Sequence, residues 1–189
     1  LTNDDIKDAD ALLVRSVTQV NESLLAGSKV KFVGTATIGT DHIDEEYLQQ
    51  QGISFKSAPG CNAQAVVDYV LSAVSVVIDD RGIGFTDLSV AIIGIGNVGL
   101  LLRQRLEEMG VSVLAVDPFK DPETVGDLVS LDEALTADVI SLHTPLTTEG
   151  EHATYHLINE QRLQQMKPDA CLINSCRGAV VDNKALLAH

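Results

Sequence analysis

Residues 90–117 restrict the fold more than any other part of the chain. An apolar run, Val90-Ala-Ile-Ile93, leads straight into Gly94-Ile-Gly96-Asn97-Val98-Gly99. A Leu- and Arg-rich stretch of helical composition follows, then a second apolar run, Val111-Ser-Val-Leu-Ala-Val116, closed by Asp117. A strand, a glycine turn, a helix and a second strand in that order make a βαβ unit, the building block of a parallel sheet. Each glycine has its own reason. Gly94 permits the tight turn out of the strand, Gly96 lets another molecule approach the backbone, and Gly99 lets the helix lie close to the strand. The helix start offers N–H groups and the positive end of its dipole to an anion such as a pyrophosphate. Asp117, about 20 residues on, stands where it would accept hydrogen bonds from the ribose of a dinucleotide. It would repel a 2′-phosphate, and neither Pro118 nor Phe119 is a cation that could hold one. The pattern therefore favours NAD over NADP. The alternative is a glycine turn in a doubly wound domain that holds no dinucleotide.

The same alternation runs through the rest of the chain. Apolar runs predict strands over 11–15, 30–33, 53–56, 90–93, 111–116, 139–142 and 171–174. Helices are predicted over 21–26, 41–51, 63–79, 97–109, 131–136, 159–166 and from 183 onward. Strands alternating with helices imply an α/β fold with a doubly wound parallel sheet. Ala58-Pro59-Gly60 breaks the pattern, and Arg81-Gly-Ile-Gly84 offers a joint between two units. The expected division is 1–60, a connecting helix and joint over 61–88, and a Rossmann unit over 89–189. The chain opens without Met and stops in a helical stretch, Ala185-Leu-Leu-Ala-His189, with no Gly or Pro stop signal. It reads as a fragment of a longer protein.

Composition narrows the partners. Thirteen Lys and Arg face 27 Asp and Glu, a net charge of −14. That argues against nucleic acid and against anionic lipid surfaces, because both are held mainly by cationic side chains. No apolar run reaches the roughly 18 residues a membrane span needs. Cys61, Cys171 and Cys176 form no CxxC pair, and the histidines show no metal-ligand spacing, so no metal is expected and a cytoplasmic protein with reduced thiols is the simple reading. With no Trp and 4% aromatic residues, the core has to be aliphatic.

A second polar signal follows the last predicted strand: Asn174-Ser175-Cys176-Arg177-Gly-Ala-Val-Val-Asp182. Ligands of open parallel sheets bind beyond the carboxyl ends of the strands. An Arg there can hold a carboxylate through two parallel hydrogen bonds and polarise a carbonyl oxygen. Equally, Arg177 could cap a helix or pair with Asp182.

Taken together, Gly94-Ile-Gly-Asn-Val-Gly99, Asp117, His143-Thr144-Pro-Leu-Thr147 and the Arg177 turn resemble the D-2-hydroxyacid dehydrogenase family over essentially the whole chain. Leu13-Val-Arg-Ser16-Val-Thr18, the stretch from Gly34 through Thr37 to Asp44, and Ala58-Pro-Gly-Cys-Asn-Ala63 resemble one branch of it. The resemblance implies a Rossmann NAD-binding domain joined to part of a flavodoxin-like substrate domain over 1–60. It implies NAD-dependent oxidation of a small phosphorylated hydroxy acid, 4-phospho-D-erythronate, to the 2-oxo acid on the route to pyridoxal 5′-phosphate. Arg177 would be the catalytic arginine. Ser16 and Thr37 would contact substrate, unless their hydroxyls only cap turns. Gly94, Gly96, Asn97, Val98, Gly99, Asp117, Thr144, Ser175, Cys176 and Arg177 would line the cofactor. The family's Glu and its general-base His would lie past His189, which leaves His143 an unpromising base. The long apolar helix after Cys61 resembles the family's dimer contact and implies a homodimer. Two other readings stay open: a sister activity such as that of phosphoglycerate dehydrogenase, and a non-catalytic NAD-sensing protein.

Overall fold

The computed structural model describes residues 1–37 and 39–189. They divide into two units, Leu1–Asn62 and Ala63–His189. The first contains α1 (Asn3–Ile6), β1 (Ala11–Val14), α2 (Glu22–Leu25), β2 (Phe32–Thr35), α3 (Glu45–Gln50) and β3 (Ser54–Ser57). Its three strands pair in parallel in the order β1-β2-β3. Val33, Val20 and Leu48 are at the centre of its small aliphatic core.

Two predicted elements in this unit shift by two residues or more. The second strand was expected over 30–33 but runs over Phe32–Thr35. It extends across Gly34 and Thr35 because Thr35 pairs with Val14 in register and its hydroxyl donates to the Val14 carbonyl at 3.0 Å. The next helix was expected from residue 41 but starts at Glu45. Residues 41 and 42 are in a turn closed by the Ile43 N–H on the Thr40 carbonyl, Ile43 is tied to Val20 by a parallel bridge, and Asp44 then caps the helix by accepting from the Tyr47 N–H at 2.9 Å.

The second unit contains α4 (Ala63–Arg81), β4 (Ser89–Ile93), α5 (Asn97–Glu108), β5 (Ser112–Val116), α6 (Pro122–Val125), α7 (Leu131–Ala134), β6 (Val139–Leu142), α8 (Glu160–Leu163), β7 (Cys171–Asn174) and α9 (Asn183–Ala188). Its sheet is parallel, in the order β5-β4-β6-β7. Alternate side chains of β4 enter opposite cores. Val90 and Ile92 pack with Val67, Val70 and Val74 of α4 and with Leu102 and Leu106 of α5. Ala91 and Ile93 pack with Leu135, Ile140, Leu142 and Leu163. A strand covered on both faces reads as a near-continuous apolar run, which is why β4 and β6 stand out in the sequence. Among the described residues, no helix is long and apolar enough to cross a membrane.

The register aligns Val116, Ile93, Leu142 and Asn174 in one row across the four strand ends. The sequence after β4 turns to the β5 side, and the sequence after β5 crosses to β6. The carboxyl ends of β4 and β6 therefore flank a topological switch point, the place where open α/β sheets bind ligands.

The opposite end of this sheet carries a polar clamp. Asp138, just before β6, accepts from the N–H and hydroxyl of Ser89 at 2.9 and 2.6 Å and from the Lys167 ammonium at 2.7 Å. The Arg81 guanidinium lies 3.8 Å away. Burial pushes the Asp138 carboxyl up, but the Lys167 and Ser89 hydrogen bonds more than reverse this and hold it at about 2. A carboxyl depressed on folding adds stability that is present above its unfolded value, about 3.9, and is lost as pH falls through its folded value. Asp138→Asn should therefore cost about 2 kcal/mol in urea unfolding at neutral pH, with the difference from the parent shrinking as pH falls and vanishing only below about pH 2. An equal midpoint for both proteins at neutral pH would show that the clamp contributes nothing.

Candidate functional site

The glycine turn leaves β4 where the sequence places it. Gly94 has φ +100°, and a Cβ on it would lie 2.7 Å from the His143 carbonyl oxygen. A Cβ on Gly99 would come within 1.9 Å of the Gly94 carbonyl oxygen, so helix and strand are in backbone contact there. Gly96 differs: no described atom lies within 4 Å of where its Cβ would be. The protein's own packing does not need a glycine at that position, whereas a ligand approaching the main chain would. Gly96 is also the N-cap of α5, and no side chain caps that helix. An exposed, uncapped helix start behind a side-chain-free position fits a pyrophosphate. Asn97 is exposed beside it, but Val98 is buried in the core, so only its main chain faces the turn.

Asp117 leaves β5 beside this turn. One carboxylate oxygen accepts from the Ile95 N–H at 2.9 Å, and the other accepts from the Phe119 N–H at 3.0 Å. The same side chain that could receive ribose hydroxyls thus also braces the glycine turn. A carboxylate has about four acceptor positions, so two remain.

Beyond β6 and β7 the chain brings a second polar group together. His143 lies between two hydroxyls, with Nε2 2.8 Å from Ser141 Oγ and Nδ1 3.0 Å from Ser175 Oγ. Burial lowers its pKa to about 4, so the ring is neutral at physiological pH. Thr144 Oγ1 lies 4.0 Å from Cys176 Sγ. Asn174 closes the turn, accepting from the Cys176 N–H at 3.1 Å and donating to the Arg177 carbonyl at 2.9 Å. Arg177 is partly buried, and its Nη1 donates to the Cys176 carbonyl at 3.4 Å. Asp182, the alternative ion-pair partner, caps α9, its Oδ1 accepting from the N–H groups of Lys184 and Ala185.

In the first unit, Ser16 is exposed two residues past β1 and Thr37 stands two residues past β2. The Thr37 hydroxyl donates to the Gly39 carbonyl at 3.0 Å and lies 2.7 Å from Thr35 Oγ1. Its present bonds are those of a turn-stabilising hydroxyl. Within the second unit the structure gathers Gly94–Gly99, Asp117, Thr144 and the Ser175–Arg177 turn at the ends of neighbouring strands. Ser141 was not anticipated. Its signal was available, as the lone polar residue in the buried strand Val139–Leu142.

Residues 78–189 match the family described as D-isomer specific 2-hydroxyacid dehydrogenase, NAD binding domain. Over 186 residues the chain is 54% identical to an erythronate-4-phosphate dehydrogenase of Cronobacter sakazakii, covering 97% of this chain and 49% of that protein. It is 54% identical over 184 residues to the Escherichia coli K12 enzyme of the same name, covering 96% and 49%. The chain spans about half the length of these curated relatives. Among solved structures, the D-lactate dehydrogenase of Aquifex aeolicus, complexed with NAD and lactic acid, matches with TM-score 0.80 and 30% identity, over 100% of this chain and 62% of that one. The NAD-bound 3-phosphoglycerate dehydrogenase of Entamoeba histolytica matches with TM-score 0.81 and 28% identity, over 99% and 62%.

Two of the glycines separate two functions in one experiment. Gly99→Ala should lower the melting temperature strongly, because its methyl meets backbone. Gly96→Ala should melt like the parent yet bind NAD at least about 10-fold more weakly, because the methyl occupies the anion's approach. Equal NAD affinity for Gly96→Ala and parent, by calorimetry, would remove this turn as the pyrophosphate site.

Proposed function

The chain belongs to the D-isomer specific 2-hydroxyacid dehydrogenases, with their NAD-binding domain in residues 78–189, and on that footing we propose that the intact protein oxidises 4-phospho-D-erythronate at its 2-hydroxyl to the 2-oxo acid, a step toward pyridoxal 5′-phosphate. The observation that carries the substrate is the 54% identity to erythronate-4-phosphate dehydrogenases, which extends through both units. The lactate and phosphoglycerate enzymes share the fold at 30% and 28%.

NAD, when bound, supplies the hydride acceptor. The chain supplies its placement: the α5 N-terminus and Gly96 receive the pyrophosphate, Asp117 the adenosine ribose, and Thr144 with the Ser175–Cys176 turn the nicotinamide end. Arg177 holds the substrate carboxylate and stabilises charge on the reacting oxygen. Residues 1–60, with Ser16 and Thr37, belong to the substrate-binding part, and residues 61–88 connect it to the cofactor part. The protein is a homodimer through α4, a reading supported by the exposure of Tyr69 and Val76 on that helix.

Formation of NADH by the intact protein tests the substrate. Turnover of 4-phospho-D-erythronate should far exceed that of D-lactate and 3-phospho-D-glycerate, and a preference for either of the latter would overturn the assignment. NAD binding with no turnover of any of them would favour a sensing role. Arg177→Lys should lose most of the activity while NAD affinity holds, since Lys keeps the charge but not the planar fork.

Asp117→Ala should cost NAD roughly 1.5–3 kcal/mol for each ribose hydrogen bond lost. Because the variant also frees the Ile95 N–H, both cofactors should weaken. The ratio of NAD to NADP affinity is therefore the decisive readout, and an unchanged ratio would relieve Asp117 of its ribose role.

A further inference from the structure

Four groups at the end of β6 form a hydrogen-bonded chain in which every proton can be placed. Ser141 is fully buried, and among the described residues its hydroxyl has one side-chain partner, His143 Nε2 at 2.8 Å. The Ser175 hydroxyl has two neighbours: the Leu142 carbonyl at 3.2 Å, which can only accept, and His143 Nδ1 at 3.0 Å. A neutral imidazole carries one N–H. If Nε2 held it, the ring would donate toward Ser141, and the Ser141 proton would be left buried with no described acceptor. A buried donor without a partner is costly. If Nδ1 holds it, Ser141 donates to Nε2, Nδ1–H donates to Ser175, and Ser175 donates to the Leu142 carbonyl. All three protons are then used and no acceptor is asked to donate. The burial that keeps the ring neutral is consistent with this arrangement.

We propose that His143 is a positioning residue that carries its proton on Nδ1 and, by donating it to Ser175, fixes the Ser175-Cys176-Arg177 turn that presents Arg177. This rests on the reading of Arg177 as the carboxylate-binding residue. The link crosses from β6 to β7, whose register places Leu142 beside Asn174, one residue before Ser175. From the other side Asn174 ties the turn by donating to the Arg177 carbonyl. The turn is thus held at its first residue by His143 and at its third by Asn174. His143 touches neither substrate nor the reacting oxygen in this role, and it accepts no proton during turnover.

Two-bond proton–nitrogen NMR spectra of the intact protein labelled with ¹⁵N-histidine test the proton's position. His143 is assigned as the signal lost in His143→Asn. The expected pattern is the Nδ1–H tautomer at neutral pH, the less common form of a solvated imidazole. An Nε2–H pattern would overturn the proposal without reference to activity. The variants test positioning. His143→Asn places an amide N–H where Nδ1 was, so it should keep kcat/KM for 4-phospho-D-erythronate within about 3-fold of the parent. His143→Gln reaches toward Ser141 instead and should lose about 10- to 100-fold, the scale of a small misplacement of a catalytic group. NAD affinity should hold in His143→Asn and fall less than kcat/KM in His143→Gln, because the turn meets only the nicotinamide end of the cofactor. Equal activity of Asn and Gln variants would overturn the positioning role. A parent protein with no 2-hydroxyacid activity would instead overturn the reading of Arg177 and the positioning role with it, while the spectrum would still decide the proton network.

Discussion

The contact between Gly99 and the Gly94 carbonyl sets the geometry of the second unit. With 1.9 Å between a hypothetical Cβ and that oxygen, any other residue at position 99 would push α5 off β4. Seating the helix this closely buries Leu102 and Leu106 against the sheet and α4. It also leaves the first turn of α5 directly over the end of β4. The exposed N–H groups that would suit an anion are thus a by-product of packing. The backbone contact that completes the aliphatic core is the same contact that points the helix start at the crevice. Asp117 adds to this from the adjacent strand by accepting the Ile95 N–H, so the turn is fixed from the helix side by packing and from the sheet side by a charged acceptor.

The two ends of the sheet divide stability from function. At the amino end of β6, Asp138 has both carboxylate oxygens engaged, by Ser89 and by Lys167, with Arg81 close by. At the carboxyl ends, polar groups are held in place but keep capacity: Asp117 has acceptor positions left, and Gly96 has open space before it. A fully satisfied network rigidifies, whereas one with remaining capacity can bind. That contrast, more than composition, marks which end of the sheet faces a ligand.

Much of this was legible in the sequence because its determinants are local. The strands Val139–Leu142 and Cys171–Asn174 have the bounds that their apolar runs predict. The GxGxxG turn and Asp117 carry their reasons within one βαβ unit. The departures have two kinds of cause, non-local and local. The Val20–Ile43 bridge that delays α3 joins residues 23 apart, and nothing in the 41–51 stretch announces it. The short α6 was overlooked although Asp121-Pro122-Glu123 has the cap and first-turn chemistry of a helix start. There the signal was present and outweighed by the lack of an apolar period. Val98 illustrates a subtler limit: its place in the motif puts it beside the glycine turn, but helical geometry turns its side chain into the core.

The polar group around His143 was beyond sequence reasoning for a further reason. Ser141 and His143 are two apart on a strand and so project to the same side. That much the sequence implies, but an apolar run with one Ser in it does not say which partner the Ser has. Ser175 arrives from the neighbouring strand through the Leu142–Asn174 register, and the registers of parallel strands are set by crossovers that local sequence does not specify. Only when both strands are in place does the count of donors and acceptors become a closed problem. It then has a single solution that leaves no buried proton unpaired. A histidine next to a glycine-rich turn invites reading as a base, since it is the side chain that titrates nearest neutrality. Here the two serines and the surrounding burial argue the other way. A ring whose proton is committed to Ser175 and whose lone pair is committed to Ser141 is suited to holding a turn still, and poorly suited to taking a proton from a substrate.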